Sequence, residues 1–306
     1  MPTFTAPDGT LLAYRAAGEG PPLVCLPGGP FHPAAYLGDL GGLTAHRRLL
    51  GLDLRGTGAS GVPADPASYR CDRLVADVDA LRRHLGVDRV DLLGHSAGAN
   101  LAVRYAERHP DHVDRLILAT PSTFAVDVDV PGPVRAKTAR LREGEPWFPE
   151  AYAALEEVAA GRATTASWEA MAPFMYARWD DEARAHRALG TPWRGTEAAA
   201  TYGSEGAFDP PTTRAALASF DRPTLLVAGE LDLNSPPEAV TSYADLFPDA
   251  ELTVLPGVSH FPWVDDPRGF AAAVSGFLGR ARVLKPGTTR VTRRRTLRGG
   301  ELFRAG

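Results

Sequence analysis

A serine between two glycines marks the stretch of this sequence best suited to covalent chemistry, Gly94-His95-Ser96-Ala97-Gly98. An apolar run with strand character precedes this stretch, and a run with helical character follows it. A sharp strand-to-helix turn exposes a serine as a nucleophile, and the flanking glycines let strand and helix approach closely. The spacing therefore predicts that Ser96 attacks a carbonyl carbon in acyl transfer.

A serine nucleophile needs a general base, and eight histidines are candidates for that role. His260 lies just past the last predicted strand, near the end of the predicted folded region. His95 lies inside the turn and is expected to point away from the serine oxygen. The others lie on predicted helices or early in the chain, namely His32, His46, His84, His109, His112 and His186. Position therefore favours His260.

A carboxylate is expected to orient the base, and one predicted loop offers two. Glu230 and Asp232 both follow the strand predicted at residues 223–228. Asp232 lies farther from the strand, in a turn with Asn234, where its side chain could reach His260 and fix the imidazole tautomer. Asp232 is the preferred acid, and Glu230 is the alternative.

Acyl transfer also needs hydrogen-bond donors for the negative charge that develops on the carbonyl oxygen. The backbone N–H of Ala97, directly after the serine, is one candidate. The other comes from the loop Pro27-Gly28-Gly29-Pro30, in which Pro30 has no N–H to donate. The sequence therefore predicts an oxyanion hole formed by the amides of Gly29 and Ala97.

Short apolar strands that alternate with amphipathic helices must position these residues. This alternation is typical of an α/β protein with a mostly parallel sheet. A β-hairpin is predicted at residues 4–14, and strands at residues 22–26, 48–53, 89–93, 116–119, 223–228 and 251–255. Helices are predicted at residues 72–85, 97–109, 238–246 and 269–278.

The alternation stops after Pro121. From residue 122 to 215 no strand is predicted, and four of the five tryptophans lie there: Trp147, Trp168, Trp179 and Trp193. We therefore expect an α/β core of residues 1–122 and 215–280, with an inserted all-helical cap of residues 123–214 over the carboxyl edge of the sheet. Residues 281–306 are expected to form a basic, flexible tail.

The composition excludes several classes of protein. The 306 residues are 44% hydrophobic, with a net charge of −4 and two cysteines, too few for a disulfide framework. With no predicted signal peptide or membrane span, we expect a cytoplasmic protein without a membrane partner. From Arg280 onward, nine basic residues face one acidic residue. Without interleaved aromatic residues, this tail is expected to be solvated rather than bound to nucleic acid.

Together these residues resemble the α/β-hydrolase superfamily over residues 4–279. The loop Pro27-Gly-Gly-Pro30 and the tryptophan-rich cap are similar to the proline iminopeptidase branch, whose members carry a His-Gly-Gly-Pro-Gly loop. Here Pro27 and Phe31 replace the first and last residues of that loop, and Ala97 stands where the branch usually has tryptophan. The resemblance implies the chain order Ser96, acid, His260, and a cap whose acidic residues bind the free amino terminus of the substrate.

The resemblance makes Glu205 the first candidate for binding the amine, because its surroundings are similar to a segment of related aminopeptidases. Glu169 and Asp180, each beside a tryptophan, are second candidates. Trp147, Trp168 and Trp179 are candidate substrate-binding residues, with packing of the cap as the alternative.

We therefore expect a serine hydrolase, without cofactor or metal, that cleaves an aminoacyl amide through an acyl-enzyme. The expected partner is a small molecule or short peptide with a free amine, and no oligomeric state is indicated. An esterase, lactonase or thioesterase acting on a small natural-product acyl substrate would use the same residues. A non-catalytic ligand receptor of the same fold is the alternative from another class.

Overall fold

A twisted sheet organises the computed structural model, which describes residues 1–190, 197–280 and 292–295. In chain order, its strands are β1 Thr3–Thr5, β2 Leu11–Ala17, β3 Pro22–Leu26, β4 Arg48–Asp53, β5 Val90–His95, β6 Val113–Ala119, β7 Thr224–Gly229, β8 Ala250–Leu255 and β9 Thr292–Arg295. They lie in the order β1-β2-β4-β3-β5-β6-β7-β8-β9. Strand β2 is antiparallel to β1 and β4, and all other neighbours are parallel.

Helices cover the sheet and make up much of the described part of the stretch between β6 and β7. They are α1 Cys71–His84, α2 Ala97–Arg108, α3 Gly132–Arg140, α4 Phe148–Ala159, α5 Thr165–Ala170, α6 Asp181–Gly190, α7 Glu197–Tyr202, α8 Pro210–Ala218, α9 Pro237–Ala244, α10 Pro262–Asp265 and α11 Pro267–Leu278. In α1, the apolar residues at helical spacing, Leu74, Val78 and Leu81, are buried. Among the described residues, none of the helices has the length and apolar character to cross a bilayer.

The central strands are apolar along their whole length because a parallel sheet is covered on both faces. Every residue of β5 and β7 is buried. Parallel strands also place their carboxyl ends at one edge, so the loops after β3, β5, β7 and β8 meet there. These are the loops that carry the predicted catalytic and oxyanion residues.

We call residues 123–214 the inserted segment. Its described part is helical and contains no strand. A short 3₁₀ helix, Ala172–Met175, brings the inserted segment against the loop that follows β8, where the N–H of His260 donates to the carbonyl of Met175. Trp193 lies outside the described residues.

The predicted α/β fold and six strands are confirmed, as is the hairpin that opens the chain. The boundaries differ by up to three residues: β6 begins at Val113 rather than at residue 116, and β2 ends at Ala17 rather than at residue 14. The tail prediction differs from the structure at Thr292–Arg295, where the backbone extends the sheet beside β8. An exposed sheet edge can pair with extended chain through backbone groups alone. Such a strand needs no apolar pattern, so its sequence does not predict it. Residues 281–291 and 296–306 lie outside the described residues.

Candidate active site

Ser96 lies at the turn between β5 and α2, with the backbone torsions φ 51° and ψ −119°. A non-glycine residue with positive φ is strained and is held in place by its surroundings. The neighbouring glycines make the tight crossing possible. A Cβ atom on Gly94 would lie 2.6 Å from the carbonyl oxygen of Gly98, and one on Gly98 would overlap the carbonyl oxygen of Leu26.

The loops after β5, β7 and β8 bring Ser96, Asp232 and His260 into one hydrogen-bonded line. His260 Nε2 lies 2.9 Å from Ser96 Oγ, and His260 Nδ1 lies 2.8 Å from Asp232 Oδ2. The carboxylate can only accept, so Nδ1 carries a proton and the lone pair on Nε2 faces the serine hydroxyl. Asp232 is 1% exposed and His260 is 3% exposed, so little water competes for these bonds. This geometry can transfer the serine proton to His260.

The two candidate carboxylates have different surroundings. The second oxygen of Asp232, Oδ1, accepts the backbone N–H of Asn234 at 2.9 Å, which fixes the orientation of the carboxylate toward His260. Glu230 is exposed, and its Oε2 accepts the backbone N–H of Gly257 at 2.8 Å. The structure therefore brings Asp232, rather than Glu230, to the histidine.

The glycine loop after β3 lies directly against the serine turn. A Cβ atom on Gly28 would lie 2.9 Å from the Cβ of Ser96, so this approach requires glycine. Gly29 has a φ of 116°, which favours glycine. Ala97 is the first residue of α2, and an N–H in a first helical turn has no acceptor within its own helix. Gly28 and Ala97 thus both adjoin Ser96, and Gly29 directly follows Gly28 in the chain.

A cavity of about 90 Å³ lies between the inserted segment and these loops. Its lining includes His32, Asn234 and Phe261, which lie close in sequence to Gly29, Asp232 and His260, although Ser96 itself does not line it. Most of the other lining residues are aromatic or carry sulfur: Tyr36, Trp168, Met171, Phe174, Met175 and Tyr176. The cavity suits a small, largely apolar group.

The chain is similar to known proteins over most of its length. The sequence profile of the alpha/beta hydrolase fold family matches residues 21–267. The chain belongs to the alpha/beta hydrolase family. It is 27% identical over 275 residues to a proline iminopeptidase of Heyndrickxia coagulans, covering 85% of this chain and 91% of that protein. It is 31% identical over 278 residues to N-formylmaleamate deformylase of Pseudomonas putida, covering 86% and 91%.

A solved structure supports the same placement. The crystal structure of proline iminopeptidase from Mycobacterium smegmatis aligns with a TM-score of 0.65 at 25% identity, covering 90% of this chain and 97% of that one. This alpha/beta hydrolase is therefore an enzyme of the hydrolase class that is similar to the proline iminopeptidase branch.

The predicted amine-binding carboxylates of this hydrolase do not line the cavity. Glu205 is exposed, and its backbone carbonyl accepts a hydrogen bond from Arg70 at 3.1 Å. Asp180 pairs with Arg178 at the surface. Glu169 forms an ion pair with Arg187, which does line the cavity. Among the described residues, the lining contains no carboxylate.

The three tryptophans predicted to bind substrate have three different positions. Trp168 lines the cavity and is 47% exposed. Trp147 packs edge-on against Phe174 within the inserted segment, and Trp179 lies against Tyr176. Of these three, the structure brings only Trp168 to the cavity.

Sequence reasoning missed Arg142, a buried residue that connects the inserted segment to the acid loop. Its guanidinium donates to the carbonyls of Tyr176 at 2.6 Å, Phe174 at 3.0 Å and Leu231 at 2.9 Å. Leu231 directly precedes Asp232. Burial lowers the pKa of Arg142 to about 10, so the side chain remains charged at neutral pH. No sequence signal marks this residue, because an isolated arginine is normally exposed.

Asp265, at the end of α10, was also missed. Its two oxygens accept the backbone N–H groups of Ser259 at 2.7 Å and Ala177 at 2.9 Å. Ser259 directly precedes His260, and Ala177 belongs to the inserted segment. Burial raises the pKa of Asp265 to about 6. Asp265 thus joins the histidine loop to the inserted segment.

Proposed function

We propose that this chain is a serine hydrolase that cleaves a small amide through an acyl-enzyme. His260 accepts the proton of Ser96 while the serine oxygen attacks the carbonyl carbon, and Asp232 holds the imidazole in the required tautomer. The amides of Gly29 and Ala97 stabilise the oxyanion. His260 then protonates the leaving amine, and water releases the acyl group. The observation that carries this proposal is the continuous hydrogen bonding from Asp232 through His260 to Ser96.

The choice of an amide rests on the relatives. The names of two relatives, a proline iminopeptidase and a deformylase of an N-formyl compound, indicate that each breaks a carbon–nitrogen bond. The size of the cavity and its aromatic lining favour a small, apolar group beside that bond. An aminoacyl amide fits this description, with Glu169 as the carboxylate that would pair with its amine after leaving Arg187.

A second candidate is supported by the lining itself. Arg187 is a cation at the wall of the cavity, and no described lining residue is acidic. A buried ammonium without a partner is costly, so this wall favours acyl groups without a free amine. An amide or ester of that kind is the alternative substrate, cleaved by the same three residues.

Labelling and turnover test the proposal together. A fluorophosphonate probe should label the wild type at Ser96 and should leave Ser96→Ala unlabelled, as mapped by mass spectrometry of peptides. Labelling elsewhere, or unchanged turnover by Ser96→Ala, would contradict the proposed nucleophile. An unlabelled wild type would favour the non-catalytic receptor.

Matched substrates decide between the two candidates. We would compare kcat/KM for an aminoacyl-arylamide, its N-acetylated form and the aryl ester that lacks the amine. A preference for the free amine supports the aminoacyl amide. A preference for the blocked or amine-free compounds supports the alternative.

A further inference from the structure

His95 directly precedes Ser96, yet its side chain points away from the serine hydroxyl into the interior. It is 2% exposed, and both of its ring nitrogens have partners. Nδ1 lies 2.6 Å from the hydroxyl of Tyr36, and Nε2 lies 3.0 Å from the backbone carbonyl oxygen of His260. Its ring lies edge-on to Trp263, with the centroids 4.7 Å apart, which restricts its rotation.

The partners determine where the protons lie. A carbonyl oxygen can only accept, so Nε2 of His95 carries a proton and donates to His260. Burial lowers the pKa of His95 well below its usual value, which keeps the ring neutral and leaves Nδ1 without a proton. Nδ1 therefore accepts the hydroxyl proton of Tyr36.

The same tyrosine hydroxyl connects to the glycine loop. The backbone N–H of Gly28 donates to it at 2.7 Å. Hydrogen bonds thus run in one direction from Gly28 to Tyr36, from Tyr36 to His95, and from His95 to the carbonyl of His260. The first residue of this series adjoins the proposed oxyanion donor Gly29, and the last is the proposed base.

We propose that Tyr36 and His95 are positioning residues that hold the glycine loop and the histidine loop at a fixed separation on either side of Ser96. This inference rests on the proposed function, since it assigns these residues to the same reaction. Acyl transfer needs the oxyanion donors and the base in place together, and a displacement of about 1 Å can cost up to about 10²-fold in rate. A buried, fully hydrogen-bonded series can supply that rigidity.

Thr120 supplies a second donor to the same carbonyl. Its hydroxyl donates to the carbonyl oxygen of His260 at 2.9 Å. Two side chains, those of His95 and Thr120, therefore donate to the backbone of the histidine loop. On the glycine loop, the N–H of Gly28 donates to the hydroxyl of Tyr36. We expect the loss of the tyrosine hydroxyl to affect the oxyanion side more than the base side.

Four variants distinguish the contributions of the individual hydrogen bonds in this series. Tyr36→Phe removes the contact to Gly28 and the contact to His95. His95→Asn keeps an acceptor near the position of Nδ1 but cannot reach His260, and His95→Gln keeps a donor near the position of Nε2 but loses the acceptor. His95→Leu loses both. Tyr243→Phe is the matched control, because Tyr243 is fully buried and its hydroxyl has no hydrogen-bond partner among the described residues.

The expected result is a loss in kcat rather than in KM. Tyr36→Phe and His95→Leu should lower kcat by about tenfold or more, with KM within about twofold, because misplaced catalytic groups affect the transition state most. Binding of a boronic acid, which mimics the tetrahedral intermediate, should weaken by a similar factor. His95→Asn and His95→Gln should fall between His95→Leu and the wild type, and Tyr243→Phe should match the wild type.

Two outcomes would overturn the inference. One is wild-type kcat in both Tyr36→Phe and His95→Leu. The other is a loss that appears only as lower thermal stability, with unchanged kcat in the folded fraction. The proposed function is judged separately, by labelling of the wild type at Ser96. If that labelling succeeds while these variants match the wild type, only the inference fails.

A measurement without turnover tests the arrangement directly. Nitrogen-15 NMR of histidine-labelled protein at neutral pH should show His95 neutral, with its proton on Nε2. The signal can be assigned by its absence in His95→Gln. A proton on Nδ1, or a doubly protonated ring at neutral pH, would contradict the proposed direction of the hydrogen bonds even if the protein proves inactive.

Discussion

The carboxyl edge of the sheet and the inner face of the inserted segment contribute to the site in different ways. The edge supplies side chains that can react, with Ser96, Asp232 and His260 each on a loop that follows a strand. The inserted segment supplies backbone carbonyls: that of Met175 accepts the N–H of His260, and that of Phe174 accepts the hydroxyl of Ser259. One region provides the proposed chemistry, and the other fixes the loops that carry it.

The inserted segment can therefore influence the site through backbone contacts rather than through a reacting side chain. Its residues 172–177 contact both the histidine loop and, through Arg142, the acid loop. These contacts use main-chain atoms of residues 172–177, while side chains of the same residues line the cavity. Substrate preference can therefore change in this segment while the proposed catalytic geometry is preserved.

The sharpest test of the edge is Asp232→Asn. An amide in place of the carboxylate would favour the wrong tautomer of His260, so we expect a loss in kcat of about 10⁴-fold. The control is Glu230→Gln, which should stay within about twofold of the wild type because Glu230 is exposed and contacts Gly257. Steady-state kinetics on any substrate that the wild type cleaves gives both values. A larger loss in Glu230→Gln would reverse the assignment of the acid.

The corresponding test of the inserted segment is Arg142→Met, which removes the donor for three buried carbonyls. The hydroxyl of Ser259 also donates to the carbonyls of Phe174 and Leu231, so the loss of Arg142 does not leave all three acceptors unpaired. Since an unpaired buried acceptor costs about 1–3 kcal/mol, the free energy of unfolding should fall by about that amount. Urea denaturation followed by circular dichroism measures the change. Arg178→Met, at a side chain 67% exposed, should change it by less than about 0.5 kcal/mol. Equal stability of the two variants would mean that Arg142 does not join the two regions.

Asp265 makes the contact between the histidine loop and the inserted segment depend on pH. Its pKa rises from 3.8 to about 6 on folding, so the folded state binds the proton more tightly than the unfolded state does. Its stabilising effect is therefore complete below about pH 4 and is lost as the pH rises through about 6. The effect should be on the order of 1–3 kcal/mol, with solvent screening reducing it.

Asp265→Asn removes that titration. The unfolding free energy at pH 4 minus that at pH 7 should be lower in this variant than in the wild type by about 1–3 kcal/mol, as measured by urea denaturation at both pH values. The exposed Asp181→Asn should keep the wild-type difference, since its side chain is fully exposed. An unchanged difference in Asp265→Asn would show that this carboxyl is not the group responsible.

The two regions also differ in what could be predicted from sequence. Ser96, Gly94 and Gly98 are neighbours in the chain, so their spacing alone carries the turn, and the strands around them are apolar runs that periodicity identifies. Asp232 and His260 could be selected because loops after parallel strands meet at one edge. In each case a local pattern indicates the position in space.

No local pattern indicates the contacts of the inserted segment. Arg142 lies 89 residues from Leu231 in the chain, and its partners are carbonyls that every residue possesses. The resemblance to related enzymes predicts that Glu205 binds the amine, yet Glu205 lies at the surface beside Arg70. Side-chain types therefore predicted which side chains meet at the edge of the sheet, whereas the main-chain contacts that hold their loops became visible only in the folded chain.

The smallest expected effects concern the carboxylates of the inserted segment. Glu205→Gln should leave KM for an aminoacyl-arylamide unchanged, because Glu205 does not line the cavity. Glu169→Gln releases Arg187 at the cavity wall, and the partly exposed pair is worth about 0.2–1 kcal/mol, so KM should change by no more than about fivefold. A rise in KM for the free-amine compound alone would assign amine binding to Glu169. A rise with Glu205→Gln instead would mean that the substrate extends to the surface beside Arg70, and that the inserted segment binds substrate on its outer side as well.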